Sequence, residues 1–302
     1  MGRREQVLRR LRTGIPFVVI VHVLLVVSTS TLVLLGALGA FVCAREFLGT
    51  VRAAVKNVKT SAVDTVFDTV LCGMCSAIAV LSFHGGHTWL QWSLATCLIA
   101  AIVSLTWRHA LRAEDSFKTN GAEILLVTLS QLFVLIYVGA SIGSIATAYT
   151  LMQTSENQKG LSLVYLCIVS TTVFGDNGGL VGGMLFGRNG RKPVPALSPN
   201  KTLAGFIGHV VAAVLGALAY QLLVTSPAWA LEISLSRTLL FGLLCGILGL
   251  TGDLFESLVK RSAAKKDAAA WLPGWGGLLD RVDGLLLAFP AVSLLAHGGF
   301  FD

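Results

Sequence analysis

The chain has 302 residues, a formal net charge of +7, 54% hydrophobic residues and only 13% charged residues, against about 25% charged in soluble proteins. Its apolar runs repeatedly approach the ~20 residues that cross a bilayer. That excludes a large soluble core, and cations scattered among loops between spans argue against nucleic-acid binding and for membrane orientation and attraction to anionic lipid or phosphate.

The expected fold is all-α, a polytopic transmembrane bundle of about nine spans. Three regions are expected: a basic cytoplasmic arm (1–13), an N-terminal transmembrane region (14–160) and a C-terminal transmembrane catalytic region (161–302). The arm carries Arg3, Arg4, Arg9, Arg10 and Arg12. No small-residue cleavage site follows a short apolar core, so no removable signal peptide is expected.

The apolar stretch 15–48 is long for one span and short for two. Ser28 to Thr31 offers a turn, and a hairpin of two short spans returns Arg52, Lys56 and Lys59 to the inner side. Arg45 and Glu46 either pair with each other or face the bundle interior. Spans at 66–83 and 89–107 flank His84-Gly85-Gly86-His87, which reads as a turn because no clustered carboxylate or cysteine joins the two histidines. Cys72 and Cys75 have a CxxC spacing inside a span and read as packing residues. Arg108, Arg112 and Lys118 follow on the inner side. A span at 122–142 leads to an outer loop with Glu156 and Lys159, and a span at 161–175 delivers Asp176.

Seven glycines and several cations lie between Gly175 and Thr202. Two readings stand side by side: close helix packing through small residues, or a loop whose N–H groups and cations surround a triphosphate. Ser198-Pro199-Asn200-Lys201-Thr202 reads as a helix start with a free, anion-favouring N-terminus. It is not a Walker A loop. Spans at 204–224 and 238–252 enclose an outer loop with Glu232 and Arg237. The last span is 284–300. With this parity every Lys and Arg except Lys159 and Arg237 is inside, and both polar blocks, 175–202 and 253–283, face the cytoplasm.

The densest charge lies between Gly252 and Leu286. If the preceding helix continues, Asp253, Glu256, Lys260 and Asp267 fall near one face, with Glu256 and Lys260 at i,i+4. Pro273-Gly274 and Gly276-Gly277 break the helix. Asp280 and Asp283 then share a face at i,i+3. Carboxylates so placed suit Mg²⁺, which takes oxygen ligands from one or two carboxylates plus substrate phosphates. Lys260, Arg261, Lys265 and Lys266 suit phosphate groups. The plainer alternative is a basic membrane-proximal loop with internal salt bridges.

The run Ser257-Leu258-Val259-Lys260-Arg261, Lys266-Asp267, Pro273-Gly274-Trp275-Gly276-Gly277 and Asp280-Arg281-Val282-Asp283 closely resembles the signature of the phosphatidate cytidylyltransferases, or CDP-diacylglycerol synthases. Asp176-Asn177-Gly178, Gly183, Phe186-Gly187 and Ser198 to Thr202 resemble the family's other polar block. The N-terminal half is similar only in being hydrophobic. Trp275 stands where the family usually has His, Ala268-Ala269 replace Ser-Gly, Met184 replaces Arg, and Ala204 replaces an acidic residue.

The resemblance implies a reaction of CTP with phosphatidate at the membrane, giving CDP-diacylglycerol and pyrophosphate. It implies metal ligation by Asp253, Asp280 and Asp283, with Mg²⁺ as cofactor and room for a second, monovalent cation. Lys260, Arg261, Lys266 and Arg281 are assigned to phosphates, with Asp267 beside them. Asp176, Ser198, Asn200, Lys201 and Ser257 are assigned to substrate binding. A homodimer is compatible with this reading. The rivals are a CTP-dependent polyprenol or dolichol-type lipid kinase and a degenerate, non-catalytic relative.

Overall fold

The computed structural model describes residues 29–55, 61–110, 114–153, 157–187, 190–224, 226–227, 229–231, 233–272 and 276–301. The basic arm, the first short span, Lys56, Lys59, Arg112, Glu156, Arg188, Glu232 and Pro273 to Trp275 lie outside the described residues, as do the side chains of Arg108 and Lys118. Most of the described residues are helical and none forms a strand; an isolated antiparallel bridge joins Leu272 to Gly276. The helices are α1 (Thr29–Ala54), α2 (Ala62–Ala110), α3 (Glu114–Val134), α4 (Ser141–Met152), α5 (Lys159–Ile168), α6 (Asn177–Phe186), α7 (Leu203–Leu223), α8 (Leu235–Ser262) and α9 (Leu279–His297). Two wider π turns, Leu135–Ala140 and Val169–Asp176, join α3 to α4 and α5 to α6.

Among the described residues six helices are long and apolar enough to cross a membrane, which fits a multi-pass membrane protein. The spans expected at 66–83 and 89–107 lie within the single element α2, whose 49 residues would measure about 74 Å if straight, over twice a bilayer core. Gly86 breaks it, with φ 63° and ψ −149°, a conformation that suits only glycine. The span expected at 284–300 begins inside α9, which opens on Asp280, Arg281 and Asp283.

The chain divides into two compact units, one of residues up to Gly143 with Val259–Arg281, the other of Ser144–Leu258 with Val282–Asp302. In the first, α1, α2 and the first π turn share a core. Tyr137 stacks on Phe133 at 5.5 Å and tilts against Phe47 at 5.6 Å. Ser61 and Asp64 cap α2 reciprocally: the Asp64 amide donates to Ser61 Oγ at 3.1 Å and the Ser61 amide to Asp64 Oδ2 at 2.9 Å, satisfying two otherwise orphaned donors. Arg52 forks onto both oxygens of Asp68, and fully buried Gln131 donates to Asp68 Oδ1 at 2.6 Å. A charge inside an apolar bundle needs such pairing. Cys72 and Cys75 are free and buried, as packing residues are.

In the second unit the triphosphate-loop reading of 175–186 is corrected. Asp176 closes a π turn and the chain remains helical to Phe186. The glycines serve helix packing: a Cβ on Gly178 would stand 2.7 Å from the Gly208 carbonyl oxygen of α7, and one on Gly182 2.9 Å from that of Ala204. In a bilayer, where lipid is as apolar as Leu, such close backbone approach is what holds helices together. Gly178→Ala is therefore expected to destabilise the protein by about 1–3 kcal/mol through overpacking, read as a lower melting temperature in detergent. Leu180→Ala, at an exposed position, should leave melting nearly unchanged; equal melting of both variants would refute the packing role.

Candidate functional site

In the second unit, α8 delivers Asp253, Glu256 and Ser257. Twenty residues from Leu235 span about 30 Å, so these side chains stand where the apolar part of the helix gives out. Gly252 sets their company. A Cβ there would lie 2.9 Å from Gly284 Cα, and a Cβ on Gly284 would lie 3.0 Å from the Gly249 carbonyl oxygen. The backbones of α8 and α9 therefore touch, and Asp253 and Glu256 come beside Asp283.

Glu256 is 1% exposed and Asp283 8%. Asp283 is within hydrogen-bonding reach of Glu256 and in the field of Asp253 and Asp176. Carboxylates buried so close together disfavour one another's charged forms. Asp253 Oδ2 pairs with the Lys201 ammonium, while Ser257 Oγ lies 3.5 Å from Asp253 Oδ1.

Lys201 is held by the turn that starts α7. Thr202 caps that helix, its Oγ1 accepting from the Gly205 amide at 3.1 Å, and the Leu203 amide donates to the Arg191 carbonyl at 2.9 Å. The expected helix start is present, but its N-terminus is capped rather than free. Ser198 is half-buried and Asn200 exposed in the same turn. Asp176, with its side chain 54% exposed, lies 3.7 Å from Nδ1 of buried His209. His209, a lone histidine in an apolar run of α7, carries no signal in the sequence.

The first unit holds a different constellation. The helical face expected to run on to Asp267 ends earlier: Ala264 adopts φ 53°, and the Lys265 amide returns to the Lys260 carbonyl at 2.9 Å, a helix-terminating turn. Asp267 is thus off the helix, and it is exposed together with Arg261, Lys266 and Arg281. Arg261 Nη1 donates to the Lys265 carbonyl at 3.1 Å.

Asp280, its side chain 3% exposed, accepts from Lys260 Nζ at 2.7 Å, from the Ala268 amide at 2.9 Å and from the Gly277 amide at 2.7 Å. Its carboxylate thereby closes the loop between α8 and α9. Glu46 of α1 accepts from the backbone of the same loop. Neither this role of Glu46 nor the place of Glu256 beside Asp283 was expected from the sequence.

Among the described residues no three His, Cys, Asp or Glu side chains form a metal cage by themselves. Mg²⁺ rarely has one, because water and substrate phosphate usually complete its shell. Asp253 and Asp283, with Glu256 close to Asp283, offer carboxylate oxygens of the kind such an ion takes from a protein, next to the ammonium of Lys201.

The sequence profile of the Cytidylyltransferase family matches residues 8–298. The chain is 36% identical over 226 residues to a protein named Phosphatidate cytidylyltransferase from Brucella suis biovar 1 (strain 1330), covering 72% of this chain and 73% of that one. It is 33% identical over 199 residues to the Phosphatidate cytidylyltransferase of Bacillus subtilis (strain 168), covering 66% of each chain. It is 38% identical over 143 residues to the Uncharacterized protein YnbB of Escherichia coli (strain K12), covering 47% of this chain and 45% of that one. With a profile matched over nearly its whole length and relatives that share about a third of its residues, the chain belongs to the cytidylyltransferase family.

Proposed function

We propose that this protein is an integral membrane nucleotidyltransferase that condenses CTP with phosphatidate to give CDP-diacylglycerol and pyrophosphate, in phospholipid biosynthesis. The observation that carries this reading is the carboxylate group Asp253, Glu256 and Asp283 with Lys201, gathered where α8 leaves its apolar span, in a chain whose relatives bear the name of that activity. A lipid phosphate can approach such a place from the bilayer and a nucleotide from the water. The cytoplasmic side, where CTP is, is assigned to it from the asymmetry of Lys and Arg.

A phosphate oxygen of phosphatidate attacks the α-phosphorus of CTP. The bond to the β-phosphate bridge breaks, and pyrophosphate leaves with its electron pair. The protein's part is orientation and charge neutralisation rather than a covalent intermediate. Lys201 is placed to neutralise a phosphate oxygen if it exchanges Asp253 for substrate. Lys260, Arg261, Lys266 and Arg281 are assigned to phosphates, with Asp267 beside them; Asp176, Ser198, Asn200 and Ser257 are assigned to substrate binding.

Asp253 and Asp283 would hold Mg²⁺, which when bound supplies neutralisation of the triphosphate's charge. Asp280, proposed as a third acidic group for the metal, already accepts three hydrogen bonds, so its larger part here is to close the loop.

CTP labelled separately in its α- and γ-phosphates tests the reading. The α-label is expected in the lipid and the γ-label in pyrophosphate, with both movements abolished by EDTA and restored by Mg²⁺. Transfer of the γ-label to lipid would make the protein a lipid kinase instead. Full turnover in excess EDTA would remove the metal from the account.

A further inference from the structure

We infer that Glu46, in the N-terminal half of the chain, is a positioning residue for the transferase reaction: its carboxylate caps the N-terminus of α9 and fixes the turn that carries the signature's last acidic and basic residues. The inference rests on the reading of function above. Helix α9 begins at Leu279, preceded by Leu278. Leucine has no side-chain acceptor and is a poor N-cap, so the first amides of α9 need a partner from elsewhere. Glu46 supplies it. Its Oε1 accepts from the Leu278 amide at 3.1 Å and from Trp271 Nε1 at 2.5 Å, and its Oε2 accepts from the Leu279 amide at 2.7 Å.

The residue is 8% exposed. A buried carboxylate is costly without donors; here three N–H groups and the positive end of a helix compensate it. The fit extends to the glycine pair of the signature. A Cβ on Gly277 would stand 2.7 Å from Glu46 Cδ, so a larger residue there would push the carboxylate away from the helix end. Asp280 meanwhile takes the Gly277 amide, and the two acids divide the donors of one turn. That turn carries Asp280 and Arg281, and Asp283 follows on the same helix.

The test combines hydrogen–deuterium exchange of peptides covering 276–282 with steady-state turnover, using full-length protein in phosphatidate-containing micelles. Glu46→Gln keeps the size but places an amide N–H against a backbone donor. It is expected to speed exchange at Leu278 and Leu279 by about tenfold or more. Amides of α7 should exchange as in the wild type. kcat should fall by about a hundredfold, with KM for CTP changed less than about threefold. Glu46→Asp, one methylene shorter but charged, should recover part of both losses. Trp271→Phe, which removes one donor from outside the helix end, should keep most of the turnover.

Wild-type exchange at Leu278 and Leu279 in Glu46→Gln overturns the cap, and full kcat in that variant overturns the positioning role. A uniform rise in exchange across α7 as well would show a general loss of fold and also overturn it. Absence of CDP-lipid formation by the wild type strikes the reading of function itself, while the exchange result still decides the cap.

Discussion

Asp283→Asn should reduce CDP-diacylglycerol formation about a thousandfold, equivalent to roughly 4 kcal/mol of transition-state stabilisation, while the protein melts at the same temperature as the wild type or higher. The two halves of this result have one cause. Asp283 is 8% exposed, within reach of Glu256 and in the field of Asp253 and Asp176. Burying like charges together works against folding, and an amide in place of one acid relieves it, giving Glu256 a neutral partner. The same change removes a carboxylate proposed to hold the cation that neutralises the triphosphate. Under the proposed function, activity at this site comes at the expense of stability, as is common where active sites store repulsion. Turnover and thermal melting of one purified sample decide the matter. Near-wild-type turnover in Asp283→Asn and in Asp253→Asn would remove the metal assignment.

Asp280→Ala should act in the opposite sense on stability. Its carboxylate accepts from Lys260 Nζ and from the amides of Ala268 and Gly277 with only 3% of the side chain exposed. Removing it takes one acceptor from the half-buried Lys260 ammonium and leaves the Ala268 and Gly277 amides without this one, and breaking a buried pair from one side costs about 3–5 kcal/mol. Melting should drop and the loop between α8 and α9 should become open to protease, with turnover lost as a consequence. Asp280→Asn retains one acceptor oxygen and should fall between. Wild-type melting and protease resistance in Asp280→Ala, with turnover alone lost, would mean that Asp280 acts on the metal rather than on the loop. The two aspartates stand three residues apart on one helix, so the contrast separates the roles without changing the chemistry of the substitution.

Much of the C-terminal half is legible in the sequence because its chemistry is concentrated. Charges are scarce in an apolar chain, so Asp253, Lys260, Asp280 and Asp283 stand out, and Thr202 announces the start of α7 by its residue type. The glycines between Gly175 and Gly187 stayed ambiguous because a phosphate loop and a tight helix contact both need small residues. Only the neighbouring helix, with Gly205 and Gly208 facing them, resolves which it is. Glu46 was open between pairing with Arg45 and facing inward. Its partners are backbone amides more than two hundred residues away, and amides leave no mark on a sequence. His209 carries no signal, and Glu256 reads as a partner of Lys260, for a related reason: each gains meaning from what stands opposite it, Asp176 in one case and Asp283 in the other.

The central claim is that this chain transfers a cytidylyl group to phosphatidate through the carboxylates that Gly252 and Gly284 bring together. The most direct measurement is mass spectrometry of the lipid formed in proteoliposomes of purified protein with phosphatidate, CTP and Mg²⁺, with pyrophosphate counted in parallel. The account predicts CDP-diacylglycerol and pyrophosphate in a one-to-one ratio from the wild type, and neither from Asp253→Asn. A wild-type protein that forms no CDP-lipid, or an Asp253→Asn protein that forms it at the wild-type rate, would contradict the account.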